Sequence, residues 1–145
     1  MQKITPFLWF DGQAGEAAKF YTSIFKNSKI ISISPMSATF HLAGQKFIAL
    51  NGGPQFKFTE AISFFVSCET QKEIDYHWKK LSAGGQKQRC GWLKDKFGVS
   101  WQIIPPILGN MLSDEDDEKS NRVMQAMLKM DKISIKGLQK AYEQQ

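Results

Sequence analysis

A strand, a helix and a run of strands occur twice in this chain, and that repetition restricts the available folds more than any single motif does. In the first half, residues 4–10 read as a strand closed by Asp11-Gly12. Ala17, Phe20, Tyr21, Ile24 and Phe25 then recur at helical spacing across 14–25, and strands follow at 29–34, 39–42 and 46–51. In the second half, 61–68 reads as a strand, and Ile74, His77, Trp78 and Leu81 form one helical stripe across 71–81. Strands follow near 88–94 and at 99–104. Pro6 stands to Ala61 at almost the same offset as Gly44 to Gly98. Little sequence identity accompanies the repeat, so it is one of architecture.

Two turns punctuate the halves. Gly44-Gln45 suits a two-residue type II′ hairpin. Asp95-Lys96-Phe97-Gly98 turns the second hairpin within GWLKDKFGVSWQIIPP, and Pro105-Pro106 stop its outgoing strand. Gln102 sits mid-strand there among apolar neighbours, and a polar amide in such a place must find a hydrogen bond, a ligand or a cavity. Beyond it, 107–112 reads as a short helical turn. Ser113 is placed to cap a helix whose first turn is acidic (Asp114, Glu115, Asp116, Asp117), with Val123, Met124, Met127 and Met130 as its apolar stripe. A last helix spans about 134–142. These boundaries give a single domain, 1–145: module one at about 1–54, module two at about 60–106, and a helical tail at 107–145.

Composition narrows the function class. The chain is 42% hydrophobic and 23% charged, as in an ordinary soluble globular protein. No apolar run reaches the roughly 20 residues of a membrane span, and the N-terminus lacks a signal-peptide layout. The net charge of +5 comes from scattered lysines, without a basic stripe interleaved with aromatics, so neither nucleic acid nor membrane is expected as a partner. Cys68 and Cys90 form no CxxC or Cys/His cluster, which suits a reduced cytoplasmic setting.

Strand alternation assigns side chains to faces. One face collects Phe7, Trp9, Phe40, Leu42, Phe47 and Ala49 in module one. Its counterpart in module two collects Ile62, Phe64, Val66, Trp101 and Ile103, and both are read as packing on the helices. The opposite face mixes apolar groups with small polar ones. If the sheet curls around it, a cup results, apolar-walled with a few convergent polar groups, which is the usual make-up of a small-molecule site. The candidate lining is Leu8, Phe10, His41, Leu50, Ser63, Phe65, Ser100 and Gln102. Aromatic groups would stack on a ligand while Gln102, Ser63 and His41 orient its polar atoms. His41 has no carboxylate placed to orient it as a base, His77 reads as a packed helix residue, and Cys68 as a buried thiol. Cys90 reads as the more accessible of the two cysteines.

The segments ITPFLWFDGQAGEAAKFYTSIF, LNGGP, EAISFFVSC, GWLKDKFGVSWQIIPP and VMQAMLKMDKI resemble the PhnB-like branch of the vicinal oxygen chelate superfamily. That branch also carries the description 3-demethylubiquinone-9 3-methyltransferase. The resemblance extends into the tail and implies an α+β fold of two βαβββ modules forming a curled mixed-sheet cup, usually within a homodimer. Metal-using members of the superfamily place His, Gln or Glu ligands on the first and last strands of each module. Here those positions hold Pro6, Ala61, Ile48 and Gln102, so no metal ligand set and no cofactor are expected. A methyl donor would normally sit on a Gly-rich loop that opens a helix, whereas Gly52-Gly53-Pro54 reads as a turn. The expectation is therefore a metal-free cup that binds a small, partly apolar molecule. The alternatives are a metal-dependent lyase, isomerase or dioxygenase of the same superfamily, which would draw on His41, Gln102 and a partner chain, and a dimeric interaction module whose cup is filled by its own side chains or by the tail.

Overall fold

The computed structural model describes residues 2–144, which divide into two compact units, Met1–Thr59 and Glu60–Gln145. The first unit runs β1 (Phe7–Phe10), α1 (Ala14–Ile24), β2 (Lys29–Ile33), β3 (Ser37–Leu42) and β4 (Gln45–Asn51). Its sheet has the order β1-β4-β3-β2, with β1 parallel to β4 and the other pairs antiparallel. Ala17 and Ala18 let α1 approach the sheet closely, and Tyr21 meets Phe40, which stacks on Phe47 at 5.5 Å.

Two sequence expectations change here. The β3–β4 turn is Ala43-Gly44, not Gly44-Gln45, because Leu42 pairs with Gln45. Both turn residues have positive φ, 49° and 82°, which is the type I′ geometry that matches strand twist. In β1 the face assignment is inverted. Leu8 is in register with Ala49, so Leu8 and Phe10 share the buried, helix-packed face with Phe47 and Ala49. Phe7 (58% exposed) and Trp9 take the open face beside Ile48 and Leu50. A strand reading FLWF is apolar throughout, so its pleat phase is set by pairing with β4 and not by its own pattern.

The second unit repeats the topology: β5 (Phe64–Ser67), α2 (Gln71–Ser82), β6 (Gln86–Lys87), β7 (Trp92–Lys94) and β8 (Ser100–Ile104), in the order β5-β8-β7-β6 with β5 parallel to β8. Thr70 caps α2, its hydroxyl accepting from Glu73 N at 3.1 Å. Ile74, Trp78 and Leu81 of α2 are buried, as are Leu93, Trp101 and Ile103 on the sheet face it covers. The first strand is shorter than the sequence suggests: Ala61 lies in a turn and Ile62 is 73% exposed, so Ile62 contributes nothing to the core. The turn before β8 is built on Asp95, which is buried. Its carboxylate accepts from Phe97 N, Val99 N and Trp101 Nε1 at 2.8, 3.1 and 2.9 Å.

Three helices complete this unit: α3 (Pro106–Leu112), α4 (Asp117–Leu128) and α5 (Ile135–Glu143). Leu108, Met111, Val123, Ile133 and Leu138 bury one another around Ile104, the last residue of β8. Ser113 ends α3, and Asp116 caps α4 by accepting from Glu118 N and Lys119 N, so the cap falls three residues later than expected. Met124 is partly exposed and stands outside the apolar stripe. The helices are tied to the module by backbone and side-chain bonds. Cys90 N and Gly91 N donate to Met130 O and Asp131 O at 2.8 and 2.7 Å. Gln71, at the start of α2, donates to Ile133 O and accepts from Ile135 N, so one amide clamps both sides of the entry to α5.

Candidate functional site

The hairpin β7–β8 and its parallel neighbour β5 place a row of side chains on the sheet face away from α2. Trp92 and Phe65 flank Gln102 in register, and Lys94 is opposite Ser100. Gln102 Nε2 donates to Ser63 Oγ at 2.9 Å, which fixes the amide. That single bond leaves the Gln102 carbonyl oxygen and one N–H uncommitted among the described residues. Beside this row the sheet and the helical extension enclose a cleft of about 370 Å³. Phe65, Trp92, Gln102 and Ile104 line its sheet side, with Cys90 at the start of the hairpin. Leu108, Gly109, Leu112 and Met127 line its helical side. An apolar enclosure of this size with one fixed amide in it has the chemistry of a small-molecule site.

The eight sequence candidates separate under this geometry. Ser63, Phe65 and Gln102 come together on one face, and Phe65 is 60% exposed there. Ser100 lies on the same face but is only 1% exposed, and its hydroxyl has no hydrogen-bond partner among the described residues. It is a buried polar group, not a presented one. Leu8, Phe10, His41 and Leu50 belong to the first unit. Leu8 and Phe10 are buried on its helix-packed face, while Leu50 is half-buried on the open one. His41 is half-buried on that open face between Lys29 and Lys46 in register, with no carboxylate among these cross-strand neighbours. Sequence reasoning missed Trp92, Leu108, Gly109, Leu112 and Met127. A signal for Trp92 existed: a turn over 95–98 pairs 94 with 100 and therefore 92 with 102. No local signal marked the helical wall, because it depends on how the tail packs.

Glu60, Cys68 and His77, near this sheet, are held within the fold. Glu60 pairs with Lys94 at 3.2 Å, and hydrogen bonding from Lys94 holds the Glu60 carboxyl below its usual range. Cys68 is fully buried, and burial, aided by the charge of Glu73, pushes its thiol up to about 12. His77 Nδ1 lies 3.7 Å from the sulfur but also 2.9 Å from Glu73 O, to which it donates. That arrangement does not make a thiolate–imidazole pair. In the first unit, Gly52-Gly53 seats the Trp9 indole. A Cβ on Gly52 would fall within the ring, and Trp9 Nε1 donates to Gly53 O at 2.9 Å. These glycines serve packing, and no helix follows them directly. Among the described residues no group of three His, Cys, Asp or Glu side chains could hold a metal ion, and no helix is long and apolar enough to cross a membrane.

Two open four-stranded sheets, each of order first-last-middle with a parallel outer pair and one covering helix, define a glyoxalase-like fold. The glyoxalase-related enzyme from Fulvimarina pelagi shares the fold at 13% identity and TM-score 0.52, over 74% of this chain and 91% of that one. Protein PA1353 from Pseudomonas aeruginosa does so at 20% identity and TM-score 0.60, over 72% and 98%. Within that fold class, the family model described as 3-demethylubiquinone-9 3-methyltransferase matches residues 2–104, and the chain belongs to this family. It is 42% identical to a PhnB protein from Bacillus cereus, described as a putative 3-demethylubiquinone-9 3-methyltransferase. The TM-score is 0.67, and the match covers 72% of this chain and 99% of that one. No curated protein matches the chain. The family match stops at the end of β8, so α3–α5 lie outside it.

Proposed function

We propose that the protein binds a small, partly apolar molecule on the open face of its second sheet, with Gln102 as the orienting polar group. The observation that carries this reading is the fixed Gln102 amide, held by Ser63 and flanked by Phe65 and Trp92 in a cleft of about 370 Å³. Phe65 and Trp92 offer flat apolar surface, and the free edge of the amide offers one donor and one acceptor. Binding at such a site draws on burial of ligand surface, while the amide sets orientation.

A divalent metal does not fit the residues present. One structural relative, FosX from Listeria monocytogenes, is described in complex with Mn(II) and sulfate, and at 17% identity it shares the fold alone. In this chain the open face of the second sheet carries Phe65, Trp92, Lys94, Ser100 and Gln102, and the Glu60 carboxylate that reaches it is paired with Lys94. A neutral amide beside a lysine is a poor donor set for Mn²⁺ or Zn²⁺. The methyl-transfer description finds no support either, since the only Gly-Gly-Pro turn is occupied by Trp9. The protein is read as a cytoplasmic homodimer without a cofactor.

Two measurements test this. Native mass spectrometry with elemental analysis, on full-length protein purified without chelator, should give a metal-free dimer; a stoichiometric divalent ion would overturn the reading. Ligand-observed NMR with a set of small aromatic and small polar compounds should return aromatic hits that weaken in Gln102→Leu. Hits indifferent to Gln102→Leu, or none at all, would refute the assignment.

A further inference from the structure

The helical extension is more than a cap on the module. The family match ends at Ile104, at the close of β8, yet half of the cleft wall is contributed beyond it. Leu108, Gly109 and Leu112 come from α3 and Met127 from α4. The wall is held in place by groups inside the module. Ile104 is part of the extension's own core, Gln71 clamps the entry to α5, and the backbone of Cys90-Gly91 donates to Met130 and Asp131. The sheet face is thereby walled on one side by two helices that the family match does not include.

We infer that α3 and α4 determine which ligand this protein accepts, and that they select a small aromatic ring bearing one hydroxyl. The inference rests on the binding role proposed above for Gln102. The helical wall is apolar and carries no charged side chain, so it offers a charged group no partner in exchange for water. The cleft is near the lower end of the roughly 300–1,000 Å³ usual for ligand sites, which disfavours extended molecules. The one fixed polar group is an amide with both a donor and an acceptor free, and a phenolic hydroxyl satisfies both at once. The ring would lie between Phe65 and Trp92 on one side and Leu112 and Met127 on the other.

Gly109 supplies the test. It is exposed on α3, it lines the cleft, and a Cβ built on it meets nothing within 4 Å, so a larger side chain is accommodated at the cleft's edge without displacing the fold. The probe is 1-naphthol, titrated against the full chain by its own fluorescence, with naphthalene as the ring lacking the hydroxyl. Gly109→Leu should weaken 1-naphthol at least tenfold, and the matched exposed control Asn110→Leu should leave it unchanged. Met127→Trp, which fills the cleft from α4, should act like Gly109→Leu. Gln102→Leu should reduce 1-naphthol to the affinity of naphthalene. If Gln102→Leu weakens binding while Gly109→Leu and Met127→Trp do not, the ligand site stands and the role of the extension is overturned. If 1-naphthol fails to bind the wild-type chain, or binds regardless of all three changes, the inference and the binding role both fall.

Discussion

Trp101 Nε1 donates a 2.9 Å hydrogen bond to Asp95 Oδ2, and both residues are only 3% exposed. The other carboxylate oxygen of Asp95 accepts from the backbone of Phe97 and Val99. One buried acid therefore shapes the turn and fixes the core tryptophan of the strand that presents Gln102. Removing it takes this acceptor from two buried donors and one half-buried one. Asp95→Ala should lower stability by about 3 kcal/mol or more, since hydrogen bonds to charged groups each contribute roughly 1.5–3 kcal/mol. Urea unfolding followed by tryptophan fluorescence measures this, and a change below about 1 kcal/mol would show that the turn holds without its acid.

Ser100 gives the opposite expectation. Its hydroxyl is buried without a partner among the described residues, so it carries a desolvation cost with no return bond. Ser100→Ala should leave the protein as stable or raise its stability by about 1 kcal/mol. Loss of stability in the same urea titration would mean that this hydroxyl is bonded in solution.

Gly52 is required by close approach. A methyl group there would enter the Trp9 ring and force it from the Gly53 carbonyl. Gly52→Ala should destabilise the first unit by about 2 kcal/mol, in the range of overpacked sites. Binding of S-adenosylmethionine by the wild-type chain, tested by calorimetry, should be absent, as the turn is already filled by an indole.

The tail titrates at both ends of the pH scale. Tyr142 Oη donates to Asp114 Oδ2 at 2.6 Å. That bond holds the Asp114 carboxyl below its ordinary 3.8 and holds the Tyr142 phenol above its ordinary 10. The Asp114 contribution is present above pH 3.8 and is lost as pH falls through its lower folded value. The Tyr142 contribution is present below pH 10 and is lost as pH rises through its raised folded value. Tyr142→Phe should flatten both losses, read as hydrogen exchange of α5 amides at acid pH and as far-UV circular dichroism above pH 10. Unchanged pH dependence in this variant would place the titration elsewhere.

Much of the fold is legible in the residues, and the reasons are local. Helical periodicity marks α1 and α2, and Asp95 to Gly98 marks the hairpin. The turn also fixes parity across β7 and β8, so Phe65, Ser100 and Gln102 were assigned to the correct face. Parity failed in β1, where every side chain is large and apolar and only the parallel register with β4 distinguishes Leu8 from Phe7. It failed for Ile62 because a turn, not a strand, precedes Phe64.

What the amino-acid sequence determined by itself is the doubled strand–helix–strand order and the choice of Gln102 as the polar group to explain. Both follow from short-range rules of period and turn chemistry. What only the tertiary structure decided is which residues surround that amide. Ser63 reaches it across 39 positions of chain, and Leu108, Leu112 and Met127 reach its cleft through the packing of an apolar core around Ile104. Apolar burial is strong but non-directional, so the sequence states that these helices must be covered without stating by what. The surface they share with the sheet is set by the long-range bonds of Gln71 and of the Cys90-Gly91 backbone, which no local pattern encodes.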